Sequence, residues 1–462
     1  MLGRMGRTVV IGAGIAGLAA ARLLARDGGE PDEVLVLEAS AEVGGKLRLG
    51  SVAGVPVDLG AEAMLNRRPE ATDLARSLGL DLVHPATTTS AIWTRDRLRP
   101  LPRSVLGVPA DLDQLAGSGV LSADGLARAR EERVLPAPDG DQTVADFVGS
   151  RLGGEVVDRL VEPLLGGVYA GHASVLSARA TIPQVVALLD RDPSLLSAAA
   201  ATPPSPDVPV FAGLAGGVGR LPQVLAERGG FTVRRGTTVR ELRRTASGFE
   251  LTVGPTPTPE LIEADRVLVA VPAAPAARLL GEVAPVAAAE LAGIEYASMA
   301  VVTLAFRTAD VAGLPRESSG FLVPPVDGRR IKAATFSAHK WDWVREAGSA
   351  EDVVLLRTSL GRHREEATLQ RSDEELVADS VADLAAATGI TAAPVDAHVQ
   401  RWGGALPQYA VGHRDRVARI RADLAVRSTD GPGRIAVCGA AYDGLGIPAC
   451  IASARAAVVA LA

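Results

Sequence analysis

A short apolar run, residues 8–11, ends abruptly in Gly12, Ala13, Gly14, Ile15, Ala16 and Gly17, and an apolar helical stretch, residues 18–25, follows at once. This spacing constrains the fold more than any other feature of the chain. Gly12 permits the tight turn out of a strand. Gly14 lets the backbone come close to a bound group, and Gly17 lets the helix pack close to the sheet. The helix start offers unpaired N–H groups and the positive end of its dipole, so the fitting occupant is a pyrophosphate. Asp27, Gly28 and Gly29 end the helix, and residues 34–38 form a second strand that finishes at Glu38. The Glu38 carboxylate is placed to accept hydrogen bonds from ribose hydroxyls. The unit is β-α-β with short connections, and it predicts a Rossmann-type dinucleotide domain in an α/β chain. A tight β-α turn in some other α/β protein is the plain alternative. The complete strand, turn, helix and acid argue against it.

Residues 8–21 are apolar and follow Arg4 and Arg7, as a signal peptide would. The glycines interrupt the run, Arg22 and Arg26 close it, and nothing reaches the ~18–20 uninterrupted apolar residues of a membrane span. We therefore expect neither a targeting segment nor a transmembrane helix, and a cytoplasmic location. The 462 residues call for more than one core. A net charge of −6 argues against a nucleic-acid partner, which clustered Lys and Arg would have to hold. Lysine occurs only at Lys46, Lys332 and Lys340, whereas arginine and alanine are abundant, which reads as codon bias in a GC-rich bacterial genome. Cys438 and Cys450 lie in no metal or CxxC spacing and read as buried free thiols.

Further along, residues 82–139 mix Pro, Gly and Arg with short helical pieces. Residues 143–165 carry apolar positions at helical spacing and predict one helix, capped by Thr143 with Asp146 in the first turn. Residues 199–210 read as an exposed linker. From Gly213 a turn and helix are followed by strands, including a buried one over 266–272. Strands over 300–306 and 352–359 and a helix over 374–388 come next. The end returns to strand (434–438), glycine turn (439–448) and helix (to Leu461).

The motif at Gly12 does not separate FAD from NAD. After Glu38 comes Ala39 and soon Gly44, Gly45 and Lys46, which resembles the extended FAD signature of glutathione-reductase-type flavoproteins. An arginine usually stands two places before that glycine pair, and here it is Glu42. The segment DLGAEAML (58–65) resembles the stretch that passes the flavin ring. The C-terminal strand–turn–helix would aim a helix dipole at the pyrimidine end of a reduced flavin. Ala440 sits where relatives often carry a polar or acidic residue, so any contact there comes from backbone.

Five segments then become specific: EPLLGGVYAGHASVLSARATIPQ (162–184), LPRSVLGVP (101–109), GLAGGVGRLPQVLA (213–226), GGALPQYAVGH (403–413) and GAAYDGLGIPACIASAR (439–455). In order and over nearly the whole chain they resemble the protoporphyrinogen and coproporphyrinogen oxidase family. His172 stands where relatives often have Asp. The resemblance implies an FAD domain from residues 1–65, 210–285 and 415–462, a mixed-sheet substrate domain from 66–95, 181–209 and 286–414, and a helical domain over 96–180. For the cofactor it implies Gly12 to Gly17, Glu38, Ala39, Gly45, Lys46, Gly60, Ala61, Glu62, Val239, Trp402, Gly439, Gly446 and Ile447. For the substrate it implies Gly167 and Tyr169, packed with Gly166 and Gly171 as a wall near the macrocycle. Arg67 and Arg68 are the candidates for substrate carboxylates.

The reaction implied is a six-electron oxidation of coproporphyrinogen III to coproporphyrin III in haem biosynthesis. A flavin accepts two electrons per cycle, as hydride from a meso carbon with proton loss from a pyrrole, and oxygen reoxidises it to hydrogen peroxide. The cofactor carries the chemistry, so no side-chain acid–base pair and no metal is expected. His172 and His413 are expected in surface or loop roles. The alternatives are protoporphyrinogen IX, another amine-oxidase-like or desaturase reaction, and a flavin-binding protein without catalysis. The partners implied are the porphyrinogen, oxygen, other haem-pathway enzymes in transient contact, and peripheral contact with a membrane through the helical domain.

Overall fold

The computed structural model describes residues 6–27, 33–203 and 208–462. Five parallel strands form one sheet in the order Thr232–Arg234, Glu33–Leu37, Arg7–Ile11, Arg266–Val269 and Arg434–Val437. Neighbours in this sheet come from the start, middle and end of the chain. Its strands are buried on both faces, which is why they read as unbroken apolar runs. Val10, Val34 and Val36 face the helices Ile15–Asp27 and Ile447–Leu461. Val9, Ile11, Leu35 and Leu37 face the antiparallel strands Val239–Arg244, Phe249–Val253 and Glu260–Ala264 and the helices Ala273–Leu280, Pro285–Ala292 and His413–Thr429.

A second, mixed sheet has seven strands: Asp396–Pro407, Tyr296–Arg307, Val353–Leu360, Ile331–Thr335, Ser318–Leu322, Thr89–Thr94 and Arg97–Pro100. Only the Ser318–Leu322 pairing with Thr89–Thr94 is parallel. Helix Asp373–Thr388 covers one face, started by a capping box of Ser372 and Glu375. Part of the other face is closed by Val52, Val55, Val57, Leu59 and Trp341. A third core, around Phe147, Leu160, Leu165 and Tyr169, belongs to a helical body.

The elements depart from expectation in three places. Residues 143–165 are not one helix. Thr143 does cap Val144–Leu152, accepting the Asp146 N–H at 3.0 Å, but Gly153 at φ 97° breaks the run, and a π-turn at Val157–Val161 leads into helix Glu162–Tyr169. Apolar spacing survives this break because both pieces bury the same side. Within 199–210, Ala199 belongs to helix Leu195–Ala201 and is buried, and 204–207 lie outside the described residues. The packing also cuts across the implied domain boundaries. Strand Arg97–Pro100 belongs to the seven-stranded sheet, Val185, Leu188 and Leu195 pack in the helical core, and Ala287 and Leu291 pack under the parallel sheet. Arg4 and Met5, ahead of the first strand, and Gly28 and Gly29, after the first helix, are outside the described residues.

Candidate active site

The first strand delivers Gly12 at φ 105°, a conformation that side chains oppose, and a Cβ there would press on the Ala270 carbonyl oxygen at 2.9 Å. A Cβ on Gly17 would overlap the carbonyl oxygen of Gly12. Gly14 is the opposite case, because a Cβ there would meet nothing within 4 Å. Backbone contact is thus required at Gly12 and Gly17, and open space is kept at Gly14, where a dinucleotide would pass. Ala13 and Ala16 are buried beside this space, as is Ile15, which opens the helix. Gly44 folds over the turn, donating its N–H to Ala13 O at 2.8 Å, so Gly45 comes to stand against Gly14. Glu38 accepts the Ala13 N–H at 2.7 Å and the Ser40 N–H at 2.9 Å, which holds its carboxylate at the rim of the turn. Ala39 beside it is exposed. Thr237 donates to Glu38 O at 2.7 Å, and Val239, two residues on, opens strand Val239–Arg244 and is half-buried against the core beside the parallel sheet. Glu42 pairs with Arg48 at 2.8 Å rather than facing the turn.

The C-terminal turn closes the other side. Gly439 at φ 125° ends the last strand, and Gly446 precedes helix Ile447–Leu461, whose N-terminus no side chain caps. Ala440 contributes backbone, as its identity requires: its carbonyl accepts the Tyr409 hydroxyl at 2.5 Å. Cys438 and Cys450 are buried free thiols, both pushed up by burial.

The segment after Asp58 links the two sheets. Asp58 accepts the Val218 and Gly219 N–H groups at 2.9 Å each, and burial pushes its carboxyl up to about 6 despite them. Gly60 has no room for a Cβ, which would overlap the Lys46 carbonyl oxygen and stand 3.3 Å from the Trp402 ring. Trp402 donates to Leu59 O at 3.3 Å, and Ala61 donates to Lys46 O at 3.3 Å. Lys46 is lowered by burial. Glu62 receives Lys340 Nζ at 2.7 Å and Arg357 Nη1 at 2.6 Å, while Arg357 Nη2 donates to Gly60 O at 2.7 Å. Burial pushes the Glu62 carboxyl up, but the two cations overcome it and hold it at about 2. Lys340 and Arg357 were not anticipated from sequence. A lone arginine inside the apolar run VVLLRTSL was the available signal.

Tyr169 ends helix Glu162–Tyr169 and meets Tyr409 edge-to-face at 5.6 Å, and Gln408 Nε2 donates to its carbonyl at 2.8 Å. The EPLLGGVYAG segment is thereby tied through Tyr409 to Ala440. Gly166 is buried in this helix, and a Cβ on Gly167 would touch Leu322 of the seven-stranded sheet at 3.8 Å. Gly171 has no room for a Cβ beside the Gln408 side-chain oxygen Oε1. Arg67 is exposed, and Arg68 pairs with Glu70 at 2.6 Å at the start of helix Pro69–Ser77, so the structure does not bring Arg68 to the wall around Tyr169 as a free cation. His172 lies in a loop and is raised by its hydrogen bond to Glu162 at 3.1 Å. His413 is a correction. It is buried, stacked on Tyr409 at 3.9 Å with Nε2 by Tyr442 O, and burial lowers it to about 4.

A glycine turn with reserved space, an acid at the next strand, a second glycine turn across the sheet and a second, mixed sheet define an FAD-dependent oxidoreductase. The residues fit the cofactor: the cradle at Gly14 is open where a side chain would fill it. The chain belongs to the flavin-containing amine oxidoreductases, whose family model matches residues 15–462. It is 39% identical to a coproporphyrinogen III oxidase of Mycobacterium leprae, over 98% of this chain and 97% of that one. It is 32% identical to that of Bacillus subtilis, over 97% and 96%. A crystal structure of a protein from Exiguobacterium sp. 255-15 superposes with TM-score 0.87 and 31% identity, covering 99% of this chain and 98% of the other. Among the described residues no helix is long and apolar enough to cross a membrane.

Proposed function

We propose that this chain oxidises coproporphyrinogen III to coproporphyrin III in haem biosynthesis, with oxygen as final acceptor and hydrogen peroxide as product. The observation that carries the reading is the placement of helix Glu162–Tyr169. It is pinned by Tyr409 to the C-terminal glycine turn and lies against the seven-stranded sheet, so it closes the space where a macrocycle would meet the cofactor. The near-full-length similarity to coproporphyrinogen III oxidases supports the substrate. In this reading Gly12 to Gly17 hold the pyrophosphate, Glu38 the ribose, and Ala39 and Val239 flank the adenosine end. Gly45, Lys46, Gly60, Ala61, Glu62, Trp402, Gly439, Gly446 and Ile447 surround the remainder. FAD, when bound, supplies the two-electron acceptor that each of three oxidation rounds needs. The protein orients the macrocycle and excludes water through Gly167, Tyr169 and Tyr409. Arg67, which is exposed, meets a substrate carboxylate at the entrance. The enzyme works in the cytoplasm, with transient contacts to other haem-pathway enzymes and peripheral contact with the membrane.

Anaerobic mixing of the purified holoenzyme with coproporphyrinogen III should bleach the flavin absorbance. Admitting air should restore it, with porphyrin fluorescence and peroxide appearing together. No bleaching would overturn the reading, and faster turnover of protoporphyrinogen IX would move the substrate to that ring.

A further inference from the structure

Lys332 is 3% exposed, and its ammonium makes no hydrogen bond or ion pair with any described residue. A buried lysine without a partner is costly, because it loses its hydration and gains no opposite charge. Burial lowers it to about 7. Arg362, also buried, stands next to it: the Val323 N–H donates to Lys332 O at 2.8 Å, and Val323 O accepts Arg362 Nη2 at 3.2 Å. One residue thus holds both cations by its backbone, and Arg362 Nε has no acceptor. Glu365 attracts both cations and Glu162 attracts Arg362, but only at longer range, without a hydrogen bond or ion pair to either. Glu162 receives His172 Nδ1 at 3.1 Å and the Ala173 N–H at 2.7 Å, and Glu365 lies 3.9 Å from His172 Nε2. The strand Ser318–Leu322, which leads into Val323, also carries Leu322, the residue under Gly167. Two incompletely paired cations therefore lie beneath the helix that closes the proposed macrocycle space.

We propose that Lys332 and Arg362 form a carboxylate-binding subsite that takes one propionate of the porphyrinogen. The inference rests on the proposed substrate and deepens it. A carboxylate arriving there would supply the missing acceptor for Arg362 Nε and the missing counter-charge for Lys332, forming charge-assisted hydrogen bonds in a site shielded from water. Lysine and arginine divide the work, as a compact charge and a planar fork. Lys332 and Arg362 are buried whereas Arg67 is exposed, so interior and exposed cations would grip different propionates.

The test is coproporphyrin III binding to the oxidised holoenzyme, followed by fluorescence, with its tetramethyl ester as the uncharged control. Wild type should bind the free acid and not the ester. Lys332→Met should weaken free-acid binding by about tenfold or more, Arg362→Met likewise, and Lys332→Arg should restore most of it. In turnover, KM for coproporphyrinogen should rise with little change in kcat. Lys332→Met should retain its flavin spectrum and show an unchanged or raised Tm, since an unpaired buried charge is removed. A lysine kept only for structure would instead lower Tm and leave Kd alone, and that result overturns the subsite. Unchanged Kd in both Met variants, with wild type still binding, also overturns the subsite while sparing the substrate reading. Failure of wild type to bind or oxidise the free acid overturns both.

Discussion

At Gly12, Gly14 and Gly17 the protein makes a cradle by leaving side chains out, whereas at Glu62, Lys340 and Arg357 it joins its two sheets by burying three charges together. The first arrangement is backbone geometry within six consecutive residues. The second draws on residues 278 and 295 positions apart. At Gly12 and Gly17 the cradle tolerates no added volume, because the neighbours there are carbonyl oxygens that cannot turn away. The ion cluster tolerates the loss of a partner poorly, because Glu62 is held by both Lys340 and Arg357 and removing either leaves a largely buried charge short of its counter-charge. Close packing and charge balance are thus separate vulnerabilities on either side of the proposed cofactor space.

The sharpest way to break this contrast is at Gly17. Gly17→Val forces a side chain into the Gly12 carbonyl and should cost more than about 3 kcal/mol, the upper end of ordinary overpacking. The purified variant should show a flavin-to-protein absorbance ratio far below wild type. A normal ratio would mean that the cradle is not the cofactor's seat. At the ion cluster, Arg357→Met should destabilise by about 3–5 kcal/mol in urea unfolding, as a buried pair does on losing one member. Replacing Glu62, Lys340 and Arg357 together by apolar residues should cost much less, and equal losses would argue against charge balance as the cause.

The same cluster makes a pH prediction. Folding lowers the Glu62 carboxyl from its ordinary 4.5 to about 2, so its contribution is complete above about 4.5 and fades as pH falls towards 2. The stability gap between wild type and Glu62→Gln should shrink over that window. A gap constant with pH would show that the pairing does not depend on the Glu62 charge. The smallest effect lies outside both regions. Thr143→Ala removes one helix cap and should cost about 1 kcal/mol, with flavin content unchanged.

These differences also explain what could be read in advance. The β-α-β unit, Glu38, the Gly44–Gly45 turn and the C-terminal strand–turn–helix were legible because each is local. Spacing of glycine, apolar and acidic residues specifies its own backbone path. Trp402, which the resemblance assigns to the cofactor, packs beside Gly60 through a contact that no local spacing specifies. The single helix over 143–165 failed at Gly153, since periodicity reports which side is buried and not whether the axis continues. His413 reads as a loop residue in sequence because its burial depends on Tyr442, 29 positions away, whose carbonyl meets Nε2 opposite the stacked Tyr409. The burial of Lys332, in strand Ile331–Thr335, and of Arg362, just past strand Val353–Leu360, is not legible in sequence, because a charged residue there reads as solvated until the fold buries it.

The sequence by itself determined that a dinucleotide turn opens at Gly12 and that the chain closes with a matching turn at Gly439. Short-range sterics and hydrogen bonding suffice for that. Tertiary structure alone decided which distant charges meet: Arg357 with Glu62 and Gly60, Lys340 with Glu62, and Lys332 with no hydrogen bond or ion pair among the described residues. The reason is physical. Coulomb interaction and desolvation depend on distance and burial, and for residues hundreds of positions apart neither exists until the sheets have packed.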